Sequence, residues 1–165
     1  MAKLIASGCV FSAPKTQDDM VWVEKTGSLE VFLANLVFLR IRIQDGSKVI
    51  LTAKKPMGKS GDGSLVKMEH ETAVESAEEM REILGMMGYT EAVRVQKTRL
   101  KADHAGYEIC FDDIEGLGSF IELERLGKQE DAEKIQKEMT EFLLSLGITA
   151  EDKVTKGYDI LMLEK

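Results

Sequence analysis

No run of about 18 apolar residues occurs in this chain, so nothing in it is long and apolar enough to cross a bilayer as a helix. Cysteine is scarce. Cys9 and Cys110 lie far apart and match no metal or redox spacing, and a reduced, cytoplasmic setting is expected. The apolar part of Met1 to Gly8 is too short for a secretory signal. Positive charge is in deficit: 22 Lys and Arg face 29 Asp and Glu, for a net charge of −7. General affinity for nucleic acid, which draws on a basic field over the phosphate backbone, is excluded on that balance. Any polyanion site must be a local basic concentration on an acidic protein. There is no internal repeat and no linker, and 165 residues at 44% hydrophobic content suffice for one core. A single domain over residues 1–165 is expected, with no membrane or nucleic-acid partner.

What the chain does have is charge placed two residues apart inside strand-like segments. The basic pairs are Arg40-Ile41-Arg42 and Lys97-Thr98-Arg99; the acidic pairs are Glu69-His70-Glu71 and Glu122-Leu123-Glu124. Residues two apart on a β-strand share a face. Each pair therefore projects two charges one way, while neighbours such as Leu39, Ile41 and Ile43 project the other. An ordinary half-buried strand has one apolar face and a scattered polar one. Pairs of both signs in one chain instead suggest a common charged surface.

The pattern along the chain is mostly strands. Met20 to Val23 reads as a short strand after the Pro14 loop. Val37 to Gln44 and Lys48 to Lys54 form a hairpin around Asp45-Gly46, a pair that favours the positive backbone angles of a tight turn. Gly58 to Ser64 reads as a flexible loop; its Gly58-Lys59-Ser60 triplet lacks the upstream glycine and strand-to-helix setting of a P-loop. Leu65 to Val74 is the next strand. Ser76, with Glu79 three residues on, opens a helix whose apolar stripe is Met80, Ile83, Leu84 and Met87, and Gly88 ends it. Thr90 to Lys101, Tyr107 to Asp113 and Ser119 to Arg125 read as three consecutive strands. A long helix follows, with Ile135, Met139, Phe142, Leu143 and Leu146 on one side and Gly147 as its stop. Gly157 to Leu163 is a short amphipathic helix. Trp22 and the methionines read as packing, and neither His70 nor His104 as catalytic.

Arg40 and Arg42 share a face, Lys54 ends the strand next to it, and Lys97 and Arg99 repeat the arrangement. Arginine suits phosphate because its planar fork makes two parallel hydrogen bonds, and lysine adds a point charge. Glu108, Cys110 and Asp112 share one face, and Glu122 and Glu124 another. Such carboxylates hold Mg²⁺ or Mn²⁺ through hard oxygens, leaving positions for water and phosphate oxygens. Solvated strands with cross-strand Arg–Glu pairs would explain any one pair without a ligand. The set is different, because every charged face is opposed by an apolar one and the helices carry stripes that can cover the apolar faces. The charged faces then turn toward each other if the sheet curls closed. Pooled in one cavity, they would neutralise a triphosphate and hold a metal on its oxygens.

The run Phe38-Leu39-Arg40-Ile41-Arg42, then Leu51-Thr52-Ala53-Lys54-Lys55-Pro56, then Glu69-His70-Glu71 resembles the CYTH superfamily. So does the continuation Lys97-Thr98-Arg99, then Phe111 through Glu124, of which Ile114 to Glu124 is the most specific part. Gly157-Tyr158-Asp159-Ile160-Leu161 resembles the family's terminal Ser-Tyr-x-x-Leu element. The superfamily includes class IV adenylyl cyclases, thiamine triphosphatases and inorganic triphosphatases. The Asp-Asp-Ile-Glu-Gly-Leu-Gly turn and the Glu-x-Glu after it resemble the cyclase branch most.

The resemblance implies an α+β fold, an antiparallel β-barrel or tunnel with helices packed on the outside, holding a triphosphate lengthwise. It makes Arg40, Arg42, Lys54, Lys97 and Arg99 the phosphate binders and Asp112, Glu122 and Glu124 the ligands of Mg²⁺ or Mn²⁺. Glu69 and Glu71 would line the acidic wall. The cyclase reaction, ATP to cyclic AMP and pyrophosphate, is the expected activity. An inorganic or thiamine triphosphatase, and a non-catalytic binder of triphosphate or nucleotide, are the alternatives. A homodimer is also implied. The family's Glu-x-Glu-x-Lys strand has no counterpart near the start, where Lys3 to Ser7 reads as the end of the helix that follows it. The first strand and most of that helix are therefore expected to be missing, and the catalytic residues are left unassigned.

Overall fold

A computed structural model describes residues 1–6, 8–25, 37–59, 65–125 and 131–165. Its organising feature is the period-two alternation read above. The strands are β1 (Lys15–Glu24), β2 (Phe38–Gln44), β3 (Lys48–Lys59), β4 (Leu65–Val74), β5 (Tyr89–His104), β6 (Tyr107–Ile114) and β7 (Gly118–Glu124). They form one antiparallel sheet in the order β4-β3-β2-β1-β5-β6-β7, curled into a half-barrel whose edges are β4 and β7. Among the described residues the helices are α1 (Ala2–Ala6), α2 (Ala77–Met86), α3 (Ala132–Ser145) and α4 (Tyr158–Leu163), with one 3₁₀ turn at Ala150–Asp152.

Local chemistry sets several of these boundaries. Asp45 and Gly46 take φ of 51° and 71°, the mirror-image turn that joins β2 to β3 in register. Ala105 and Gly106, at 53° and 79°, do the same between β5 and β6. The Ser76 hydroxyl oxygen accepts the Glu79 amide at 3.2 Å and starts α2.

Three segments differ from the sequence reading. β1 begins at Lys15 rather than Met20 and occupies the middle of the sheet, bonded to both β2 and β5. β3 runs past Lys54 through Gly58 to Lys59, placing the first two residues of the expected Gly58–Ser64 loop in a strand. Residues 60–64 of the expected loop lie outside the described residues. On α2, Leu84 is buried and Met80 packs against the core, but Ile83 and Met87 are 44% and 63% exposed. Nor are all the methionines packing residues: Met20 and Met139 are buried, whereas Met86 is 88% exposed.

The apolar faces of the strands form two clusters. One gathers Met20, Trp22, Ile41 and Val49 under Leu84 and Met80 of α2. The other gathers Ala102, Tyr107 and Ile109 under Leu4 of α1 and Met139, Ile135 and Phe142 of α3. Ile41 and Ile109 are fully buried, and truncating either to alanine would cost about 2–5 kcal/mol. With these helices holding the outer face, the opposite faces of the strands turn inward. That inner, concave face carries the charge.

Candidate functional site

Register fixes which charges meet. Arg42 stands opposite Asp19, Arg40 opposite Thr52, and Lys54 opposite Glu69. Arg99 stands opposite Asp112, and Cys110 opposite Glu122. Direct cross-strand partners share a face, so all five expected phosphate binders and all five expected carboxylates lie on the concave side. Asp112, Glu122 and Glu124 gather at its β6–β7 end, whereas Glu69 and Glu71 stand at the β4 edge.

The centre of the site is a residue that the sequence reading passed over. Asp19 on β1 takes Arg42 Nε at 2.6 Å and Nη2 at 2.7 Å, a two-point fork. Arg40 Nη1 and Lys97 Nζ stand 3.8 and 3.9 Å from Oδ2, the oxygen that also takes Arg42 Nη2. Burial works against the Asp19 charge, but the Arg42 hydrogen bonds and the three cations outweigh it and hold the carboxyl below its usual range. A second fork mirrors the first. Asp112 takes Arg99 Nε at 2.6 Å and Nη2 at 2.5 Å, and its side chain is fully buried.

Around the forks the ions are more exposed. Arg40 Nη2 donates to Glu71 at 2.9 Å and to Thr52 Oγ1 at 3.0 Å. Lys54 donates to Glu69 at 2.6 Å, and that partner outweighs burial to hold the Glu69 carboxyl low. Arg99 Nη2 also meets Glu122 at 2.6 Å, and its Nη1 lies 3.8 Å from Glu124. Glu69, Glu71, Glu122 and Glu124 are 36–50% exposed, so the cations are clothed by carboxylates able to swing into water. The Nε of Arg40 is buried with no hydrogen-bond partner among the described residues. A buried donor of that kind costs about 1–3 kcal/mol unless a ligand meets it.

Lys97 sits between the forks, 3.6 Å from Asp112, with only 4% of its side chain exposed. Burial, then the charge of Arg99, pushes its ammonium down to about 8 against the pull of Asp19 and Asp112. Tyr158 of α4 covers it: the ring centre lies 5.0 Å from Lys97 Nζ, and the hydroxyl donates to Asp112. At the β6–β7 end the balance is reversed. Burial, and then the charge of Glu122, raise the Glu124 carboxyl above its usual range. The Glu108 and Glu124 oxygens and Cys110 Sγ come within 4.8 Å of one another, and burial pushes the Cys110 thiol up to about 12.

Besides Asp19, the sequence reading missed Thr52 and Tyr158 as site residues. Asp19 carried one usable signal, since a strand through Val21 extended backward by two puts it on a single face with Gln17.

Residues 30–158 match the CYTH domain family. The chain is 35% identical over 121 residues to a Methanocaldococcus jannaschii protein named "Putative adenylate cyclase MJ0240", an alignment spanning 73% of this chain and 67% of that one. The PH1819 protein of Pyrococcus horikoshii superposes with a TM-score of 0.80 at 24% identity, over 99% of this chain and 93% of its own. The PH1012 protein of the same organism gives 0.81 at 21% identity, over 98% and 90%. The fold is therefore shared across the whole concave sheet, and the sequence match runs through Arg40 to Glu124. The chain belongs to the CYTH domain family, a family of triphosphate-binding tunnels.

Proposed function

We propose that the concave face binds a nucleoside triphosphate and, with a divalent cation, converts ATP to cyclic AMP and pyrophosphate. The observation that carries the reading is the convergence of Arg40, Arg42, Lys54, Lys97 and Arg99 on one inward face, each within 4.0 Å of a carboxylate, of which Glu69 and Glu71 are exposed enough for a polyanion to replace. The cyclase name of the Methanocaldococcus relative supports the choice of reaction.

Arg40 and Lys54 offer the more accessible grip on the phosphate chain, because their partners Glu71 and Glu69 are exposed enough to move aside. Arg42 and Arg99 are held rigidly by Asp19 and Asp112, so they present fixed positive charge with little reorganisation. The chemistry of the β7 carboxylates suits Mg²⁺ or Mn²⁺. Glu124 is raised by burial beside Glu122, an excess of negative charge that a hard dication relieves. Glu122 and Glu124 would hold it, with Asp112 behind them. When bound, such an ion neutralises charge developing on phosphoryl oxygens. In the cyclase reaction the ribose 3′-hydroxyl oxygen bonds to the α-phosphorus, its proton is released, and the bond to pyrophosphate breaks.

Incubation with ATP and, separately, tripolyphosphate in the presence of Mg²⁺ or Mn²⁺, with separation of products, tests the reading. Cyclic AMP with pyrophosphate is expected. Orthophosphate would replace the cyclase by a triphosphatase, which uses the same cradle with water as nucleophile. Binding without turnover would leave a non-catalytic triphosphate binder, and no binding by folded protein would overturn the reading altogether.

A further inference from the structure

The concave face also carries aromatic rings that the phosphate cradle does not need. Phe120 on β7 stands opposite Asp112, so it shares the face on which Asp112 meets Arg99. Tyr158 leans on it with ring centroids 5.2 Å apart, and the Tyr158 ring in turn lies under Lys97 Nζ. Both residues are half-buried rather than enclosed. Two residues along β7 on the same face is Glu122, and two further on Glu124, so the rings stand beside the carboxylates that would hold the cation. A third ring, Phe38, stands opposite Lys54 at the other end of the face. The carboxylates there pair with phosphate-binding cations: Glu69 with Lys54 at 2.6 Å and Glu71 with Arg40 at 2.9 Å.

An aromatic surface one ring's width from a phosphate-binding ammonium suits a planar heterocycle carried on a phosphate chain. Bases stack on such rings whatever their hydrogen-bonding edge. We infer that Phe120 and Tyr158 form a base-stacking subsite, so that the site selects a nucleoside triphosphate over bare tripolyphosphate. The inference rests on the triphosphate reading above. If those rings only anchored α4, altering them would affect both ligands alike.

The test is calorimetric titration of the full chain with ATP and with tripolyphosphate, read as the ratio of the two affinities so that effects on the shared phosphate grip cancel. In Phe120→Leu the ratio is expected to fall about tenfold in the disfavour of ATP, toward the low end of what base stacking contributes, with tripolyphosphate binding nearly unchanged. Phe38→Leu should leave the ratio as it was. A second comparison needs no variant: the unaltered protein should bind ATP about tenfold more tightly than ribose 5-triphosphate. A Phe120→Leu ratio equal to that of the unaltered protein, a fall seen in Phe38→Leu instead, or equal binding of ATP and ribose 5-triphosphate would each overturn the subsite. Absence of binding by both ATP and tripolyphosphate would overturn the triphosphate reading and the subsite with it.

Discussion

On the β1–β2 side of the cleft, Arg42 rests on Asp19 at 2.6 and 2.7 Å; on the β5–β6 side, Arg99 rests on Asp112 at 2.6 and 2.5 Å. The two forks have the same bonds and different surroundings. Asp19 is met by Arg40, Arg42 and Lys97, and those cations hold it ionised against burial. Arg99 has Asp112, Glu122 and Glu124 around it, and the outermost of these carboxyls is pushed toward its neutral form. Three cations surround Asp19, whereas three carboxylates surround Arg99. A phosphate chain suits the first half and a dication the second, so a single ligand carrying both would lie across the two forks.

The sharpest way to break this comparison is to remove each aspartate. Asp19→Ala leaves Arg42 without its fork and two further cations facing one another, and about 3–5 kcal/mol of stability should be lost. Asp112→Ala should cost less, because Glu122 still holds Arg99 at 2.6 Å. Urea unfolding of the two variants decides it; equal losses, or the reverse order, would mean the halves are not electrostatically distinct.

Next in size is the phosphate grip. Arg40→Ala or Arg42→Ala should each weaken tripolyphosphate binding by about 1.5–3 kcal/mol, the range for hydrogen bonds to charged groups. Calorimetry showing full affinity in both would remove the cation-rich half as the phosphate site. Glu122→Gln addresses the other half. The Mg²⁺ dependence of ATP binding should vanish, while metal-free polyanion binding stays equal or becomes tighter as Arg99 loses a competitor. Persisting Mg²⁺ dependence would move the ion elsewhere.

The smallest effect is expected from pH. Lys97 has its folded pKa lowered from 10.5 to about 8. Below pH 8 the ammonium is charged in both folded and unfolded chains, and its burial is fully destabilising. Between about 8 and 10.5 the unfolded chain binds more protons, so this destabilisation is relieved as pH rises. Polyanion affinity should move the opposite way, falling above pH 8 as the cradle loses a charge. Lys97→Met should flatten both profiles, and an unchanged affinity profile in that variant would assign the titration to another group.

The parts of this arrangement that depend on neighbours along the chain could be read directly. Asp45-Gly46 specified its turn through backbone preference alone, and Ser76 with Glu79 specified the start of α2. Arg40 and Arg42 could be placed on one face because strand geometry repeats every two residues, and their convergence with Lys97 and Arg99 followed from burying the opposite faces. Asp19 was harder to see. Lys15 to Asp19 is polar throughout, so no apolar alternation marks it as strand; only pairing with β2 and β5 on both sides makes it one. Tyr158 lies in a different element from the residues it touches, and no local pattern announces such a contact. The outward turn of Ile83 and Met87 has a similar cause. An apolar stripe shows that a helix face can be buried, but the position of the sheet beneath it decides how much of that face is.

The exposed glutamates of the cleft have a thermodynamic consequence of their own. A binding site of bare arginines collects dissolved anions, and a ligand that enters must release them, which makes affinity fall steeply with salt. Here the counterions are covalently attached. Glu69, Glu71 and Glu122 already occupy Lys54, Arg40 and Arg99, so a polyanion exchanges places with tethered carboxylates that stay on the protein. Local repulsion from those displaced groups then takes the place of an osmotic gain, and the site's sensitivity to ionic strength is shallower than its number of cations would suggest.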